Sequence, residues 1–157
     1  FRKPTVVIRQ GVGCLAYQAK VPHRWEFIHD YIGYNYRMPN INAALGCAQL
    51  EHVDEFVASK RQVAKEYAAF FKNIDGIDFF VEPENSFSNY WLNAVILENK
   101  AAQLEFLEYT NDNGIMTRPI WELMSRLVLF KNCENDGLKN TIWFADRVVN
   151  IPSSVRL

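Results

Sequence analysis

Two polar side chains stand directly ahead of a predicted helix, in the stretch GYNYRMPNINAALG that begins at Gly33. Asn35 offers an amide donor and Arg37 a planar guanidinium. Together these groups can hold a phosphate or a carboxylate through charge-assisted hydrogen bonds. The alternative interpretation is structural, because an asparagine suits a turn and an arginine can cap a neighbouring helix. The residue types therefore indicate an anion site and leave the structural interpretation open.

A second group of candidate residues combines aromatic rings with a cation, in the segments Tyr90-Trp91 and Arg118-Pro119-Ile120-Trp121. Arg118 stands in an otherwise apolar run that predicts a strand. If it is buried it needs a partner, because an unpaired buried charge is very costly. That partner is either an internal carboxylate or a ligand phosphate, and the sequence does not decide between them.

No familiar catalytic motif accompanies these residues. The sequence contains no GxSxG, GxxxxGK[ST], HExxH or GxGxxG pattern. Its three histidines share no spacing suited to a metal ion. The three cysteines, Cys14, Cys47 and Cys133, are far apart and form no CxxC pair, which argues against zinc and against a disulfide framework. We therefore predict no metal site, and we find no candidate catalytic residue.

Length and charge restrict the class of protein. The 157 residues make one ordinary domain, with 49% hydrophobic and 22% charged residues. The net charge is −1 and no basic block is present, so neither a nucleic-acid partner nor an anionic membrane surface is expected. The apolar runs are too short to span a bilayer. The predicted location is the cytoplasm.

The strongest element is a long helix that begins at Pro39 and ends near Asn73. Apolar residues recur at close to a 3.6-residue period as far as Phe71, and the charged residues between them, including Lys60 and Arg61, predict a solvated face. Asp75-Gly76 supplies the stop.

The first third of this helix, Ala43 to Ala48, contains almost only small residues. Small side chains let another backbone approach closely, so we expect a second element or a second subunit there. With Tyr34 and Tyr36 this stretch would form an apolar patch on the isolated chain, which predicts self-association.

The later elements alternate between strand and helix, while residues 1–32 are predicted to be irregular apart from a short strand at Thr5–Ile8. The predicted series is strand Ile77–Val81, strand Tyr90–Leu97, helix Ala101–Asn113, strand Ile115–Ile120, a helical piece at Trp121–Phe130, helix Leu138–Arg147 and an extended segment Val148–Pro152. The predicted fold class is α+β, with a long N-terminal helix followed by a small mixed sheet with covering helices.

Several segments also carry a family resemblance. GYNYRMPNINAALGCAQLE, Lys60-Arg61 with Tyr67, NYWLNAVIL and RVVNIPSS resemble the DegT/StrS group of pyridoxal-phosphate (PLP) sugar aminotransferases. The branch that aminates nucleotide-linked 4-keto sugars for legionaminic-acid-type surface glycans looks the most similar. The resemblance covers residues 17–156, whereas residues 1–16 do not follow the pattern. It corresponds to the C-terminal part of such an enzyme, less than half of the usual chain.

The resemblance implies a type I aminotransferase fold and a homodimer with active sites at the subunit boundary. Residues 39–157 would form the C-terminal small domain, and residues 1–38 a remnant of the edge of the large domain. Asn35 matches the family asparagine that reaches the PLP phosphate of the neighbouring subunit, and Arg37 lies beside it. Trp91, Arg118 and Trp121 lie in segments that resemble those near the nucleotide-sugar mouth.

The resemblance also implies a missing component. In the family, the lysine that forms the Schiff base with PLP lies upstream of the region that this chain matches, and neither Lys3 nor Lys20 matches its position. PLP is therefore expected in the full-length enzyme, with none held covalently by this chain, which would be inactive alone. The full-length parent would transfer an amino group from glutamate to a 4-keto nucleotide sugar. The alternative hypothesis is a non-catalytic α+β module that dimerises or binds an anion.

Overall fold

The computed structural model describes residues 14–16, 24–25, 28, 31–33 and 37–156. Its helices are α1 (Asn40–Leu50), α2 (Val53–Phe71), α3 (Lys100–Asp112) and α4 (Lys139–Ala145). Its strands are β1 (Cys14–Ala16), β2 (Tyr31–Gly33), β3 (Ile77–Phe79), β4 (Asn93–Leu97), β5 (Arg118–Pro119) and β6 (Val148–Ile151). Two 3₁₀ turns, Met124–Arg126 and Val128–Phe130, stand where the helical piece was predicted. The α+β class predicted from the sequence is confirmed.

The chain divides into two compact units, which we describe separately. The first ends at Glu51 and also takes in Trp121–Lys139, and the second comprises His52–Ile120 and the residues from Asn140 onward. In the first unit β1 pairs antiparallel with β2 within the segment predicted to be irregular. The strand predicted at Thr5–Ile8 lies outside the described residues.

The sheet of the second unit has the strand order β3-β4-β6-β5, and every described pair in it is antiparallel. The prediction of a mixed sheet was therefore wrong, and the reason lies in the topology. Strands β4 and β5, joined by α3, do run parallel to one another, as a strand–helix–strand pattern suggests. However, β6 lies between them and pairs antiparallel with both, so the parallel strands never become neighbours.

The core of the second unit lies on one face of this sheet. Val95 and Val149 are opposite one another in the β4–β6 register and are fully buried. Phe79 on β3 shares their face, since it pairs with Val95. Its ring lies 6.0 Å from that of Tyr67 and is stacked with that of Phe71 at 6.4 Å. These ring contacts fasten α2 against β3, so α2 covers this face.

Helix α3 lies against β4, β5 and β6 and is fixed there by a buried amide. The Gln103 side chain is fully buried, and its Nε2 donates to the carbonyl oxygens of Ala145 at 3.0 Å and Val148 at 2.8 Å. Those two carbonyls belong to the end of α4 and the start of β6. One side chain thus satisfies backbone acceptors at the α4–β6 junction, as buried polar groups require.

The long helix predicted from Pro39 onward is divided into α1, which ends at Leu50, and α2, which begins at Val53. Glu51 and His52 form a turn, and the backbone of His52, with φ −115° and ψ 9°, leaves the helical region. Asp54 and Glu55 in the first turn of α2 suit a new N-terminus, where acidic groups interact favourably with the helix dipole. The sequence pattern is continuous across the break, so periodicity alone could not reveal it. None of the described helices is long and apolar enough to cross a membrane.

Candidate functional site

Arg37 lies at the entrance of α1, whereas Asn35 lies outside the described residues. Arg37 is exposed and has a positive φ of 64°, a left-handed conformation that costs a non-glycine residue about 1–2 kcal/mol. Pro39 occupies the N-cap position and supplies no side-chain hydrogen bond. The first N–H groups of a helix have no intrahelical acceptor and carry a positive partial charge. A guanidinium next to such a helix end suits an anion.

The structure places Trp91 and Arg118 at the same end of the sheet of the second unit. Trp91 stands two residues before β4 and is 65% exposed. Arg118 opens β5, and both strands begin where β6 ends. Trp121 belongs to the first unit and is half exposed. Two of the three predicted substrate residues therefore lie at the same end of the sheet.

Arg118 is exposed, so the burial that would have required a compensating charge does not occur. Its Nη2 lies 3.5 Å from the sulfur of Met116. Because the Arg118 guanidinium is not desolvated, it requires neither an internal carboxylate nor a ligand phosphate as a compensating partner.

A loop between β3 and β4, residues 82–91, carries Trp91 and is held to α2 by one arginine. We call it the clamped loop. The Arg61 guanidinium donates through Nη2 to Glu82 Oε1 at 2.7 Å and through Nη1 to Glu82 Oε2 at 2.9 Å. Its Nη1 also donates to the Ser88 carbonyl at 2.6 Å. The Arg61 and Glu82 side chains are only 22% and 21% exposed, so this bidentate pair is better shielded than a typical surface ion pair.

The electrostatics of the clamped loop follow from this pair. The hydrogen bonds from the Arg61 guanidinium, and then from the Ser88 N–H at 2.6 Å, lower the pKa of Glu82 from 4.5 to about 2. The hydrogen bond to Glu82 raises the pKa of Arg61. Both groups therefore remain charged across the physiological pH range.

Aromatic rings complete the contacts around Arg61. The Phe87 ring centroid lies 4.0 Å from the guanidinium carbon and that of Tyr90 lies 5.7 Å from it. The Tyr90 hydroxyl accepts a hydrogen bond from the Glu82 N–H at 3.1 Å. Tyr90 has a positive φ of 44°, which costs about 1–2 kcal/mol and persists only where neighbouring contacts fix the backbone.

Lys60 holds the far end of the same loop. Its Nζ donates to the carbonyl oxygens of Ser153 and, at 3.3 Å, of Trp91. Burial lowers the pKa of Lys60. The Ser153 hydroxyl in turn accepts from the Asn93 N–H at 2.7 Å. Consecutive residues of α2 thus tie down both ends of the clamped loop.

Asn93 itself shows an unusual feature. Its side chain is 1% exposed, and among the described residues neither its Oδ1 nor its Nδ2 has a hydrogen-bond partner. A buried amide without partners costs about 1–3 kcal/mol.

A cleft of about 400 Å³ lies along α2 and is bordered by Phe87. It is lined by Asp54, Val57, Ala58, Arg61, Gln62, Lys65 and Phe87. Among the described residues there is no group of three or more histidine, cysteine, aspartate and glutamate side chains that could hold a metal ion.

The contacts of Lys60 and Arg61 with the clamped loop were not predicted from the sequence, because both residues were assigned to a solvated face. A usable signal existed, because Arg61 stands four residues after Val57 and three before Ala64, on the apolar side of α2. A charged residue on an apolar stripe predicts a buried partner. The sequence could not show that Glu82, 21 positions away, is that partner.

Comparison with known proteins identifies the family of the chain. Residues 8–157 match the DegT/DnrJ/EryC1/StrS aminotransferase family. The chain belongs to this family. The resemblance noted in the sequence is thereby confirmed at the level of the DegT/DnrJ/EryC1/StrS family, while the legionaminic-acid-type branch stays a prediction.

Relatives within the DegT/DnrJ/EryC1/StrS family include GDP-perosamine synthase of Escherichia coli O157:H7, 38% identical over 139 residues that make up 87% of this chain and 36% of that protein. EpsN of Bacillus subtilis (strain 168), named as a pyridoxal phosphate-dependent aminotransferase, is 34% identical over 74% of this chain and 30% of that protein. The crystal structure of the sugar aminotransferase CalS13 from Micromonospora echinospora matches with a TM-score of 0.60 at 26% identity, covering 80% of this chain and 33% of that one. The chain therefore spans about a third of the length of the relatives it matches. These findings do not favour a non-catalytic module.

Proposed function

We propose that this chain forms the C-terminal part of a PLP-dependent aminotransferase that converts a 4-keto nucleotide sugar to a 4-amino sugar for surface glycan synthesis. The observation that carries the proposal is the family match over residues 8–157. The E. coli O157:H7 relative, named for GDP-perosamine, supports a GDP-linked substrate. The legionaminic-acid-type branch remains the finer alternative within the same reaction class.

The entrance of α1 fits the phosphate of PLP. Arg37 supplies a fixed cation, and the uncapped N-terminus of α1 supplies oriented N–H groups. Asn35 would add the amide donor that the family resemblance implies. Asn35 and Arg37 would hold PLP, which would supply the carrier chemistry for transfer of the amino group. The contribution of Asn35 and Arg37 in this proposal is to bind and orient the cofactor.

The other predicted residues have binding roles. Trp91 and Arg118, at one end of the sheet of the second unit, would contact the nucleotide sugar. Trp121, in the first unit, is proposed separately as a substrate-binding residue. An exposed indole offers a face for a planar base, and a guanidinium offers donors for a diphosphate. The site would be completed across a homodimer boundary.

The chain alone is proposed to be inactive, because the resemblance implies a Schiff-base lysine upstream of the matched region, and neither Lys3 nor Lys20 is proposed to take its place. Residues 39–157 are proposed as the small domain of the enzyme, and residues 1–38 as the edge of the large domain. The cytoplasmic location also stays a prediction.

The proposal is tested with a chimaera in which residues 17–157 replace the matched C-terminal part of the E. coli O157:H7 relative. We expect the folded chimaera to retain PLP and to transfer an amino group from glutamate to a GDP-linked 4-keto sugar. dTDP- and UDP-linked ketones, assayed in parallel, define the nucleotide. A chimaera that folds but neither retains PLP nor aminates any of these sugars would refute the proposal.

The isolated chain provides a separate control. Mixed with PLP and treated with borohydride, it should give no stoichiometric adduct. A stoichiometric adduct on one lysine would overturn the statement that the chain lacks a lysine for this chemistry.

A further inference from the structure

The clamped loop has more restraints than connecting β3 to β4 requires. Arg61 holds Glu82 with both carboxylate oxygens engaged and also holds the Ser88 carbonyl. Lys60, the preceding residue of α2, holds the carbonyl of Trp91. The conformation of the loop is therefore set by the helix and not by the loop alone.

The restraint is concentrated next to a strained residue. Tyr90, at φ 44°, immediately precedes Trp91. The Tyr90 N–H donates to the Ser88 hydroxyl at 3.0 Å, and the Trp91 N–H donates to Asn89 Oδ1 at 3.0 Å. A backbone held in a sparsely populated conformation by many contacts is typical of segments that present a side chain to a ligand.

The side chain presented in this way is Trp91, which is 65% exposed. Burial within the unit therefore accounts for little of its surface, while its carbonyl and N–H are both hydrogen-bonded. An exposed indole on a fixed backbone is pre-organised, so little conformational entropy is lost when a planar ligand stacks on it.

We propose that Arg61 is a positioning residue of the substrate site: it fixes the clamped loop so that Trp91 is held ready to contact the nucleotide portion of the substrate. This inference rests on the proposed function and deepens it. Arg61 is not assigned a contact with substrate or cofactor. Its guanidinium is engaged by Glu82 and Ser88 and lies against the Phe87 ring.

Replacement of Arg61 by lysine keeps the charge and removes the planar fork, so it isolates the clamp geometry. The matched control is Arg156→Lys. Arg156 pairs at 2.6 Å with Glu66, which lies on the same helix as Arg61. This pair is exposed, and its described hydrogen bonds are to residues outside the clamped loop.

The test uses GDP as the probe and the indole N–H resonance of Trp91, assigned with Trp91→Phe, as the readout. GDP should shift this resonance in the wild-type chain and in Arg156→Lys. In Arg61→Lys we expect GDP affinity to fall about tenfold or more, as is usual when pre-organisation of a binding loop is lost. Amide exchange at Ser88 should accelerate while exchange at Leu107 in α3 is unchanged.

A second measurement separates positioning from a general loss of stability. In Arg61→Ala, added ethylguanidinium at millimolar concentration should restore most of the lost GDP affinity, which a globally unfolded variant could not do. In the chimaera, Arg61→Lys should raise KM for the nucleotide sugar while kcat changes little.

The inference fails if Arg61→Lys binds GDP as tightly as wild type, or if GDP leaves the Trp91 resonance unmoved. Either result with an active chimaera would leave the proposed function intact and remove only the role of Arg61. If the chimaera folds but is inactive, while GDP still shifts the Trp91 resonance and Arg61→Lys still loses that shift, the proposed function fails and the role of Arg61 stands.

Discussion

Replacement of Gln103 by leucine should destabilise the second unit by an amount that the structure allows us to estimate. The Gln103 amide is fully buried and donates to the carbonyls of Ala145 and Val148. Leaving each acceptor without its donor costs about 1–3 kcal/mol. The added apolar burial of leucine returns about 1–2 kcal/mol. The two acceptors together cost about 2–6 kcal/mol, so after the leucine contribution the expected net loss lies between about 0 and 5 kcal/mol, with a central value of about 2–3 kcal/mol.

Urea unfolding followed by far-UV circular dichroism measures this loss of free energy, and thermal unfolding should show a fall in Tm of about 4–12 °C for a loss of about 2–3 kcal/mol in a chain of this size. Glu108→Gln is the matched control. Glu108 lies on the same helix and is exposed, so its replacement should cost no more than about 0.5 kcal/mol. If Gln103→Leu unfolds within about 0.5 kcal/mol of wild type, the buried amide does not hold the α4–β6 junction as argued.

Three further predictions concern acidity, a buried hydroxyl pair and association. Because the pKa of Glu82 is lowered from 4.5 to about 2, its contribution to stability is present above about pH 4.5 and is lost as pH falls toward 2. A carbon-detected NMR titration of Glu82 should show this low midpoint in the wild-type chain and a midpoint closer to 4.5 in Arg61→Lys. Equal midpoints in the two chains would contradict the role of Arg61 in lowering the pKa. Thr110→Val removes the 2.6 Å hydrogen bond to the buried Thr117 hydroxyl, which should lower the free energy of unfolding by about 1–2 kcal/mol in urea titration; no change would mean that the pair contributes nothing. Leu45 on α1 is 64% exposed, and Leu45→Glu should weaken the predicted self-association in sedimentation velocity; a strictly monomeric wild-type chain would contradict this prediction.

The elements of the second unit that depend on local sequence were predictable. Helix α3 was predicted within one residue at each end, because Leu104 and Leu107 recur at helical spacing and Gly114, with φ 77°, follows its end. The turn at Asp75-Gly76 was also predictable, since Gly76 adopts φ 79°. In each case the signal and the structure it determines lie within a few residues of each other.

The contacts that form the candidate site were not predictable in the same way. Lys60 meets Ser153 across 93 positions, and β6 enters between β4 and β5 from the end of the chain. Such pairings depend on tertiary packing, which local propensity does not encode. Asn35 was predicted from residue type and from the resemblance, and it stays a prediction because it lies outside the described residues.

The entrance of α1 is proposed to bind the phosphate of PLP. The dissociation constant of PLP from the chimaera tests this binding most directly. Asn35→Ala and Arg37→Gln should each weaken PLP binding by about tenfold or more, since each removes a donor to a dianion. Arg126→Gln, which removes an exposed cation paired with Glu122 at 3.4 Å, should leave the constant unchanged. Unaltered PLP affinity in both Asn35→Ala and Arg37→Gln would contradict the account.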